Sequence, residues 1–410
     1  MIERTIFSAI ERSIKLRPVT LITGARQVGK TTLCRELVSK HGYNYVTLAD
    51  NSERFLAIKN PELFLHTHGT PLIIDEVQYA PALFDYIEAE VDKAKFETDK
   101  NEGMYVLAGS QAYNLMAGVT QSMAGRISII KMPPLSMSEI YVRKETPFTV
   151  DFKKNMKRSR ELILTVDDIY EKIHRGLYPE LYDKKDLETY EFYSDYVNSY
   201  ISKDVSQIIN LKDELKFLEF MELMASLTGQ ELVYNNIANT IGVSLKTIQS
   251  WVSVLVAGDI IHLLRPYSER STVKRIVRRP KIYFSDTGLA CHLAKVTDVK
   301  TLKAGYLRGP MVETLIVNEI LKSYENNREN AGFFYYRDSQ MNEIDLMILR
   351  NGMLSLIECK SGTTYDASAV KAFGRLEKSN YEIGPSCLIC LTEKAYPLKE
   401  DVLVLPITAI

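Results

Sequence analysis

The sequence predicts an α/β protein of several domains: a parallel-sheet domain, a helical module with a two-stranded ribbon, and a second α/β core at the carboxyl end. Apolar strand-like runs alternate with helical periods over residues 1–140, and helical periods dominate residues 168–256. Near the end, an Asn351-Gly352 turn separates two apolar runs, which is a strong hairpin signal. The length of 410 residues fits two or three domains of roughly 150 residues each and excludes a single small module.

Composition excludes several classes of protein. Hydrophobic residues make up 46% of the chain and charged residues 25%, which is typical of an ordered globular protein. The 51 basic residues nearly balance the 52 acidic ones, so any surface for nucleic acid must be local. Five cysteines and the lack of an apolar leader favour a cytoplasmic location. The longest apolar candidate, residues 251–264, is short and interrupted by Gly258-Asp259, so we expect no membrane span.

Changes in composition and in hydrophobic periodicity divide the chain into five predicted segments. They are a parallel-sheet domain (1–140), a lysine- and arginine-rich linker or exposed insertion (141–167), a helical lid-like segment (168–215), a helical module with a ribbon (216–300), and the second α/β core (301–410). Within the first segment, five strands are predicted at residues 19–23, 45–49, 71–75, 105–108 and 127–132.

A glycine-rich loop lies between the first predicted strand and the helix that follows it. The sequence Gly24-Ala25-Arg26-Gln27-Val28-Gly29-Lys30-Thr31 fits GxxxxGK[ST] in the context that this pattern requires. The glycines allow backbone N–H groups to wrap phosphates, while Lys30 reaches the β and γ oxygens and Thr31 places its hydroxyl on Mg²⁺. The loop, with Thr32 beside it, therefore predicts a site for ATP and Mg²⁺.

Polar residues at the ends of later strands extend this site. Asp75 and Glu76 end an apolar strand, so we expect Asp75 to steady Mg²⁺ and Glu76 to polarise the attacking water. Ser110 follows the next strand and is expected beside the γ-phosphate if the two strands are neighbours. Arg126 is expected to complete a phosphate clamp, from its own chain or in a neighbouring subunit, or else to be an ordinary surface arginine.

These motifs carry a family resemblance. The order of the glycine loop, Asp75-Glu76, Gly109-Ser110, Ala124-Gly125-Arg126 and the motifs at residues 174–180 and 200–205 resembles a family of prokaryotic AAA-type ATPases. In that family a P-loop ATPase domain precedes a carboxyl-terminal domain of unknown function. The resemblance implies ATP binding and hydrolysis, and it makes a homo-oligomeric ring an expectation.

The helical module has the element order of a winged helix-turn-helix. Helical periods at residues 217–227, 237–241 and 245–256 precede strands at 260–264 and 281–284. On the third helix the predicted core face is Ile248, Trp251, Val252 and Leu255, which leaves Lys246, Thr247, Gln249 and Ser250 outward as candidate DNA contacts.

A basic segment joins the two strands of this ribbon. Residues 265–281 contain a single acid and a net charge of +6, because the seven basic residues are Arg265, Arg270, Lys274, Arg275, Arg278, Arg279 and Lys281. Such a tip suits the phosphate backbone of DNA, with binding that weakens as salt rises. Winged helices also serve as protein-binding modules, and basic loops are often merely solvated.

The second α/β core contains a cluster of charged residues across the predicted hairpin. With Arg350 opposite Met353, the register places Asp345 opposite Glu358 and Glu343 opposite Lys360, all on one face. Two facing acids repel each other unless a cation or a proton lies between them.

Together with Glu313 on the preceding helix, this pattern resembles the PD-(D/E)xK nuclease core, that is, a restriction-endonuclease-like fold. By that resemblance Asp345 and Glu358 would bind Mg²⁺, Lys360 would steady the nucleophilic water or the phosphate, and Glu313 would be an accessory ligand. The alternative is that the charges form structural pairs in a fold without cleavage activity.

Two functions remain open on this reasoning. The first is an Mg²⁺-dependent AAA-type ATPase that couples ATP turnover to DNA binding or remodelling. The second is a nucleotide-controlled regulatory switch whose later domains bind protein partners, with neither DNA nor cleavage involved.

Overall fold

The computed structural model describes residues 2–110, 123–201, 205, 214–268, 279–376 and 379–410. Contacts between Cα atoms divide the chain into two compact units. The first comprises Met1–Leu135, Ser199–Asn210 and Ala257–Asp259, and the second comprises Ser136–Asn198, Leu211–Val256 and Ile260–Ile410. The first boundary lies five residues before the predicted end of the parallel-sheet domain, and the finer division of the remainder stays a prediction.

The first unit is built around a five-stranded sheet in the order β2-β3-β4-β1-β5, and every described pairing is parallel. Its strands are β1 (Val19–Thr23), β2 (Asn44–Thr47), β3 (Leu72–Asp75), β4 (Tyr105–Ala108) and β5 (Ile127–Lys131). Its helices are α1 (Phe7–Ile14), α2 (Lys30–His41), α3 (Asn51–Lys59), α4 (Pro61–His68) and α5 (Leu83–Thr98). Strands β1, β3 and β4 are buried at every position, because helices cover both faces of a parallel sheet. All five predicted strands are present.

The second unit begins with helices. They are α6 (Met137–Ile140), α7 (Phe152–Arg158), α8 (Val166–Arg175), α9 (Glu180–Asp183), α10 (Thr189–Tyr200), α11 (Glu214–Ser226), α12 (Tyr234–Ile241) and α13 (Leu245–Ala257). Each of α7 and α8 begins at a side-chain cap, from Asp151 and Thr165 respectively, which satisfies backbone N–H groups of the first turn.

The predicted linker or exposed insertion at residues 141–167 is exposed over part of its length and is bonded to the carboxyl end of the chain at two arginines. The guanidinium of Arg158 donates hydrogen bonds to the carbonyl oxygens of Lys144 and Ile410 and to the hydroxyl of Ser138. Arg143 donates to the carbonyl oxygen of Thr408. The exposure expected from the density of basic residues holds for Lys153, Lys154, Lys157 and Arg160. Arg143 and Arg158 differ, because each also bonds to a carbonyl oxygen at the carboxyl end of the chain.

A two-stranded antiparallel ribbon follows α13. Its strands are β6 (Ile261–Leu264) and β7 (Lys281–Phe284). On α13 the predicted core face is buried, with Ile248, Trp251, Val252 and Leu255 all at most 6% exposed. Three helices and a ribbon thus occur in the predicted order, while their assignment as a winged helix stays a prediction.

The rest of the chain forms helices and a mixed seven-stranded sheet. The helices are α14 (Thr287–Leu293), α15 (Val299–Ala304) and α16 (Arg308–Asn327). The strands are β8 (Gly332–Arg337), β9 (Glu343–Arg350), β10 (Met353–Cys359), β11 (Glu382–Ile383), β12 (Ser386–Cys390), β13 (Tyr396–Lys399) and β14 (Val402–Pro406). The sheet order is β13-β14-β12-β10-β9-β8, with β11 beside β10.

The β9–β10 hairpin has the predicted register. Arg350 pairs with Met353, and the ladder continues to Leu346 opposite Ile357. Beyond it, a carboxylate oxygen of Asp345 accepts a hydrogen bond from the backbone N–H of Cys359 at 2.8 Å. The acids of the hairpin therefore lie just beyond the end of the ladder, where the bond between the two strands runs from a backbone N–H to a carboxylate.

No single helix in the described ranges is long and apolar enough to cross a membrane. The pair α12 and α13 passes a test of length and composition only when taken together, and the two helices are bent by 107°.

Candidate functional site

The loop between β1 and α2 has a backbone conformation that depends on glycine. Gly24 has a φ of +143° and Gly29 a φ of +98°, both in the region that disfavours other residues. A Cβ atom on Gly24 would lie 2.3 Å from the carbonyl oxygen of Met132, which follows β5. The other predicted loop residues lie on this turn and on the first turn of α2, with Val28 buried and Gln27 and Thr32 exposed. A tight turn that leads into a helix amino terminus is an arrangement that binds phosphate.

Lys30 folds back onto this loop. Its ammonium group donates hydrogen bonds to the carbonyl oxygens of Gly24 at 2.9 Å and Ala25 at 2.6 Å, and the residue is 7% exposed. The loop carbonyls therefore hold a buried positive charge at the mouth of the turn. Phosphate oxygens brought to the loop would find that charge within reach of a lysine side chain.

Asp75 connects the loop to the edge of the sheet. The hydroxyl of Thr31 donates to Asp75 Oδ2 at 2.7 Å, and the hydroxyl of Tyr45 donates to the same oxygen at 3.0 Å. Because β2 and β3 are parallel neighbours, both tyrosine and aspartate reach the same end of the sheet. The structure thus brings Thr31 and Asp75 together, as the sequence predicts, and adds Tyr45.

Glu76 follows in a left-handed conformation with a φ of +57°. Its backbone N–H donates to Asp75 Oδ1 at 3.0 Å, and its carboxylate accepts a hydrogen bond from the side-chain amide of Gln78. Gln78 is 7% exposed, and its amide oxygen has no hydrogen-bond partner among the described residues. Left-handed backbone in a residue other than glycine is strained and concentrates at functional sites.

Ser110 follows β4 by two residues, and the last residue of that strand, Ala108, pairs with Asp75 on one side and with Ile22 of β1 on the other. This adjacency is the condition on which its predicted role depends. The serine is 5% exposed, and its hydroxyl has no hydrogen-bond partner among the residues that the structure describes. A buried hydroxyl costs free energy unless something bonds to it.

The structure does not bring Arg126 to the loop. Arg126 precedes β5, whose first residue is level with Val19, so it lies at the amino-terminal edge of the sheet. The five residues of β1 separate this edge from the loop by about 16 Å. The guanidinium forms ion pairs with Asp92 at 2.7 Å and Glu88 at 3.0 Å. This distance argues against a role within the same chain, while a role in a neighbouring subunit stays a prediction.

The sequence-based reasoning missed Arg4. This residue is 7% exposed and donates to the carbonyl oxygen of Val28 in the loop at 2.7 Å and to that of Pro133 at 2.6 Å. It therefore braces the loop against the segment after β5. An arginine among the first residues of a chain gives no local signal, because its partners are 24 and 129 residues away.

The candidate nuclease residues occupy one region of the second unit. Asp345 and Glu358 are 7% and 6% exposed, and Glu313 lies on α16. Lys360 forms an ion pair with Glu358, not with Glu343. Burial, and then the charge of Asp345, raises the pKa of Glu358 to about 8.

A lysine from the ribbon enters the same region. The ammonium of Lys281 lies 2.8 Å from Glu313, 2.5 Å from Glu343 and 3.5 Å from Asp345, and its side chain is 3% exposed. The sequence-based prediction placed Lys281 on the basic surface of the ribbon, and that placement is wrong. All four residues of β7 are buried, so alternation along the strand gave no signal that would single out Lys281 as buried.

The candidate DNA contacts are only partly described. Lys246 and Gln249 are exposed on α13, and Arg265 and Arg279 are exposed at the ends of the ribbon. Four of the predicted contacts lie outside the described residues: Arg270, Lys274, Arg275 and Arg278.

Comparison with known families divides the chain into three matches. Residues 16–141 match an AAA domain, residues 166–300 a domain of unknown function (DUF8612), and residues 308–410 another domain of unknown function (DUF4143). The first match agrees with the loop geometry, and the amino-terminal part of the chain is an AAA-type ATPase domain with a P-loop nucleotide site.

Similar proteins include uncharacterised ones from Mycobacterium bovis and Mycobacterium tuberculosis, each 23% identical over 99% of this chain and 84% of the relative. Among solved structures, a Walker-type ATPase of Pyrococcus abyssi is 13% identical, covers 70% of this chain and 94% of its own, and has a TM-score of 0.39. AMPPCP-bound DnaA from Aquifex aeolicus is 12% identical, with coverages of 61% and 85% and a TM-score of 0.28.

Proposed function

We propose that the chain hydrolyses ATP with Mg²⁺ and couples this turnover to the binding or remodelling of DNA. The hydrogen bond of 2.7 Å between Thr31 and Asp75, beside the buried ammonium of Lys30, carries the ATPase part. This bond places two hard oxygen ligands, a hydroxyl and a carboxylate, next to the ammonium of Lys30 at the mouth of a phosphate-binding turn.

The residues of the site fit both ATP and Mg²⁺. The ammonium of Lys30 would exchange its two loop carbonyls for β and γ oxygens. The hydroxyl of Ser110, which has no partner among the described residues, would donate to the γ-phosphate. Thr31 and Asp75 would hold Mg²⁺, which when bound supplies positive charge to the phosphates. Glu76, released from Gln78, would accept the proton of the attacking water.

Replacing Lys30 tests the ATPase proposal. Lys30→Ala is expected to abolish ATP turnover, because it removes the charge that stabilises the phosphate oxygens. Lys40→Ala is the matched control: Lys40 lies on the same helix, is exposed, and pairs with Glu36 and with the ring of Phe7. Turnover should be measured as phosphate release. Unchanged turnover in Lys30→Ala would contradict the assignment.

The DNA part rests on exposed polar and basic residues of α13 and the ribbon. Lys246 and Gln249 share the outward face of α13, and Arg265 and Arg279 are exposed where the basic segment leaves and enters the ribbon. Charge reversal of Arg275 and Arg278 is expected to weaken DNA binding and to flatten its dependence on salt, because fewer counterions are released.

A fluorescence titration of labelled duplex DNA at several salt concentrations measures both effects. The control is Lys93→Glu, which reverses an exposed charge on α5. Equal loss of binding in the control, or no loss in the ribbon variant, would count against a DNA-binding ribbon.

The second candidate is a nucleotide-controlled switch whose later domains bind protein partners. It is favoured by the way the ribbon is tied to the carboxyl-terminal sheet: Tyr335 bonds to the carbonyl oxygen of Arg279, and Lys281 is buried among acids. ATP hydrolysis measured with and without double-stranded and branched DNA separates the two candidates. Stimulation by DNA supports coupling, and indifference to both DNA forms supports the switch.

A further inference from the structure

The carboxylates expected to hold a metal already surround a cation of the chain itself. Glu313 comes from α16, Glu343 and Asp345 from β9, and Lys281 from β7 places its ammonium among them at 2.8, 2.5 and 3.5 Å. An ammonium group has three N–H donors, which matches three surrounding carboxylates. We refer to these four residues as the lysine cluster.

The ammonium of the cluster is buried, whereas Glu343 is 29% exposed and also lies 3.6 Å from the guanidinium of Arg337. The Lys281 side chain is 3% exposed, and Tyr283 donates its hydroxyl to Glu313 at 2.6 Å. Burial and then Asp345 raise the pKa of Glu313 to about 7, while Lys281 opposes that rise. Buried acids of like charge are costly without a nearby cation, and in the described part of the chain Lys281 is the cation that touches all three.

These residues do not fit a divalent metal in this arrangement. Mg²⁺ binds carboxylate oxygens at about 2.1 Å in octahedral geometry, whereas the oxygens here are spaced around an ammonium. Among the described residues no group of three or more His, Cys, Asp or Glu is placed to hold a metal ion. An added divalent ion would also sit within a few ångströms of a buried positive charge, which opposes it.

We propose that Lys281 is the resident cation of this cluster and excludes divalent metal from it. The nuclease-like acids then serve as a latch that holds β7 against the carboxyl-terminal sheet, and the chain cleaves no nucleic acid through them while β7 is seated. A second contact strengthens the latch, since the hydroxyl of Tyr335 on β8 donates to the carbonyl oxygen of Arg279 just before β7.

Withdrawal of the ammonium would change the chemistry of the site. Glu358 is 6% exposed, and its Oε2 has no hydrogen-bond partner among the described residues. Without Lys281, Glu313 and Asp345 would lose their ammonium partner, and their oxygens would join Glu358 Oε2 as buried oxygen ligands, while Lys360 stays paired with the other oxygen of Glu358. Removal of the lysine should therefore create a metal site that the natural chain does not have.

The test is Mn²⁺ binding by the full chain, measured by calorimetry and by the electron paramagnetic resonance signal of free Mn²⁺. All variants carry Asp75→Asn, which removes a ligand of the nucleotide site. We expect the natural cluster and Asp345→Asn to give the same Mn²⁺ binding, and Lys281→Met to bind Mn²⁺ at least about tenfold more tightly. The gain should disappear in Lys281→Met combined with Asp345→Asn.

A matched control lies on α16. Lys322 is also buried and pairs with an acid, Glu319, at 3.1 Å. Lys322→Met removes a buried lysine of the same kind outside the lysine cluster, so it should gain no Mn²⁺ binding. A gain equal to that of Lys281→Met would show a general effect of loosening the fold and would overturn the proposal.

Two further results would overturn it. One is Mn²⁺ binding by the natural cluster that Asp345→Asn abolishes, and this comparison needs no change at Lys281. The other is a folded Lys281→Met that binds Mn²⁺ no better than the natural cluster. If Lys281→Met does not fold, Lys281→Gln replaces it, because an amide keeps donors to the acids without the charge. The outcome does not depend on ATP hydrolysis, so it is separate from the test of the ATPase.

Discussion

Gly24→Ala is expected to destabilise the AAA-type domain by about 4 kcal/mol and to abolish ATP binding. The added Cβ atom would lie 2.3 Å from the carbonyl oxygen of Met132, and Cβ contacts shorter than about 3 Å are not tolerated. Relief requires that the segment after β5 shift by roughly 0.7 Å or more. That segment is held in place, because the backbone N–H of Met132 donates to the carbonyl oxygen of Thr23 at 2.8 Å.

Two costs add up at this position. A φ of +143° in a residue other than glycine costs about 1–3 kcal/mol, and forced overpacking about 1–3 kcal/mol more. Gly42→Ala is the matched control, since Gly42 has a φ of +69° and a Cβ atom there would meet nothing within 4 Å. It should cost only about 1 kcal/mol, from the left-handed backbone alone.

Urea unfolding followed by circular dichroism measures the stability of both variants, and a fluorescent ATP analogue measures binding. We expect Gly24→Ala to unfold at clearly lower urea than Gly42→Ala and to bind no nucleotide. If the two variants unfold at the same urea concentration and both bind ATP with natural affinity, the inference that the carbonyl of Met132 leaves no room for a side chain at Gly24 is wrong.

Three further predictions concern single side chains. Arg4→Met should weaken ATP binding and lower the free energy of unfolding by about 2–4 kcal/mol, because two buried carbonyls lose a charged donor; calorimetric titration and urea unfolding measure these effects. Ser110→Ala should slow ATP hydrolysis by about tenfold or more with little loss of stability, since its hydroxyl has no partner to lose among the described residues. A variant that binds ATP more weakly but hydrolyses it at the natural rate would contradict this. Because burial raises the pKa of Glu358 above its unfolded value of 4.5 to about 8, the folded chain binds this proton more tightly, and the fold should lose on the order of 5 kcal/mol as the pH rises from about 4.5 to 8. Glu358→Gln should flatten that pH dependence in urea unfolding, and an unchanged slope would show that Glu358 titrates normally.

Local patterns were enough to predict the elements that hold the nucleotide site. The five parallel strands and the loop at Gly24–Thr31 follow from apolar runs and glycine spacing, which act within a few residues. The same holds for the β9–β10 hairpin, because a two-residue turn fixes which residues face each other.

Predictions based on charge were less secure. The basic residues at 141–167 suggested an exposed linker, yet Arg143 and Arg158 bond to the carbonyl oxygens of residues 408 and 410. A charged side chain can be solvated by water or can donate to a buried carbonyl, and the local sequence does not distinguish the two cases.

The sequence by itself therefore determined the secondary structure, the phosphate loop and the register of the acidic hairpin, because each depends on neighbours along the chain. Only the tertiary structure decided which distant groups meet: Arg4 behind the loop, Arg126 at the far edge of the sheet, and Lys281 among three acids. A parallel sheet and an ion-pair cluster bring together residues tens to hundreds of positions apart, and their partners are fixed by packing and not by spacing.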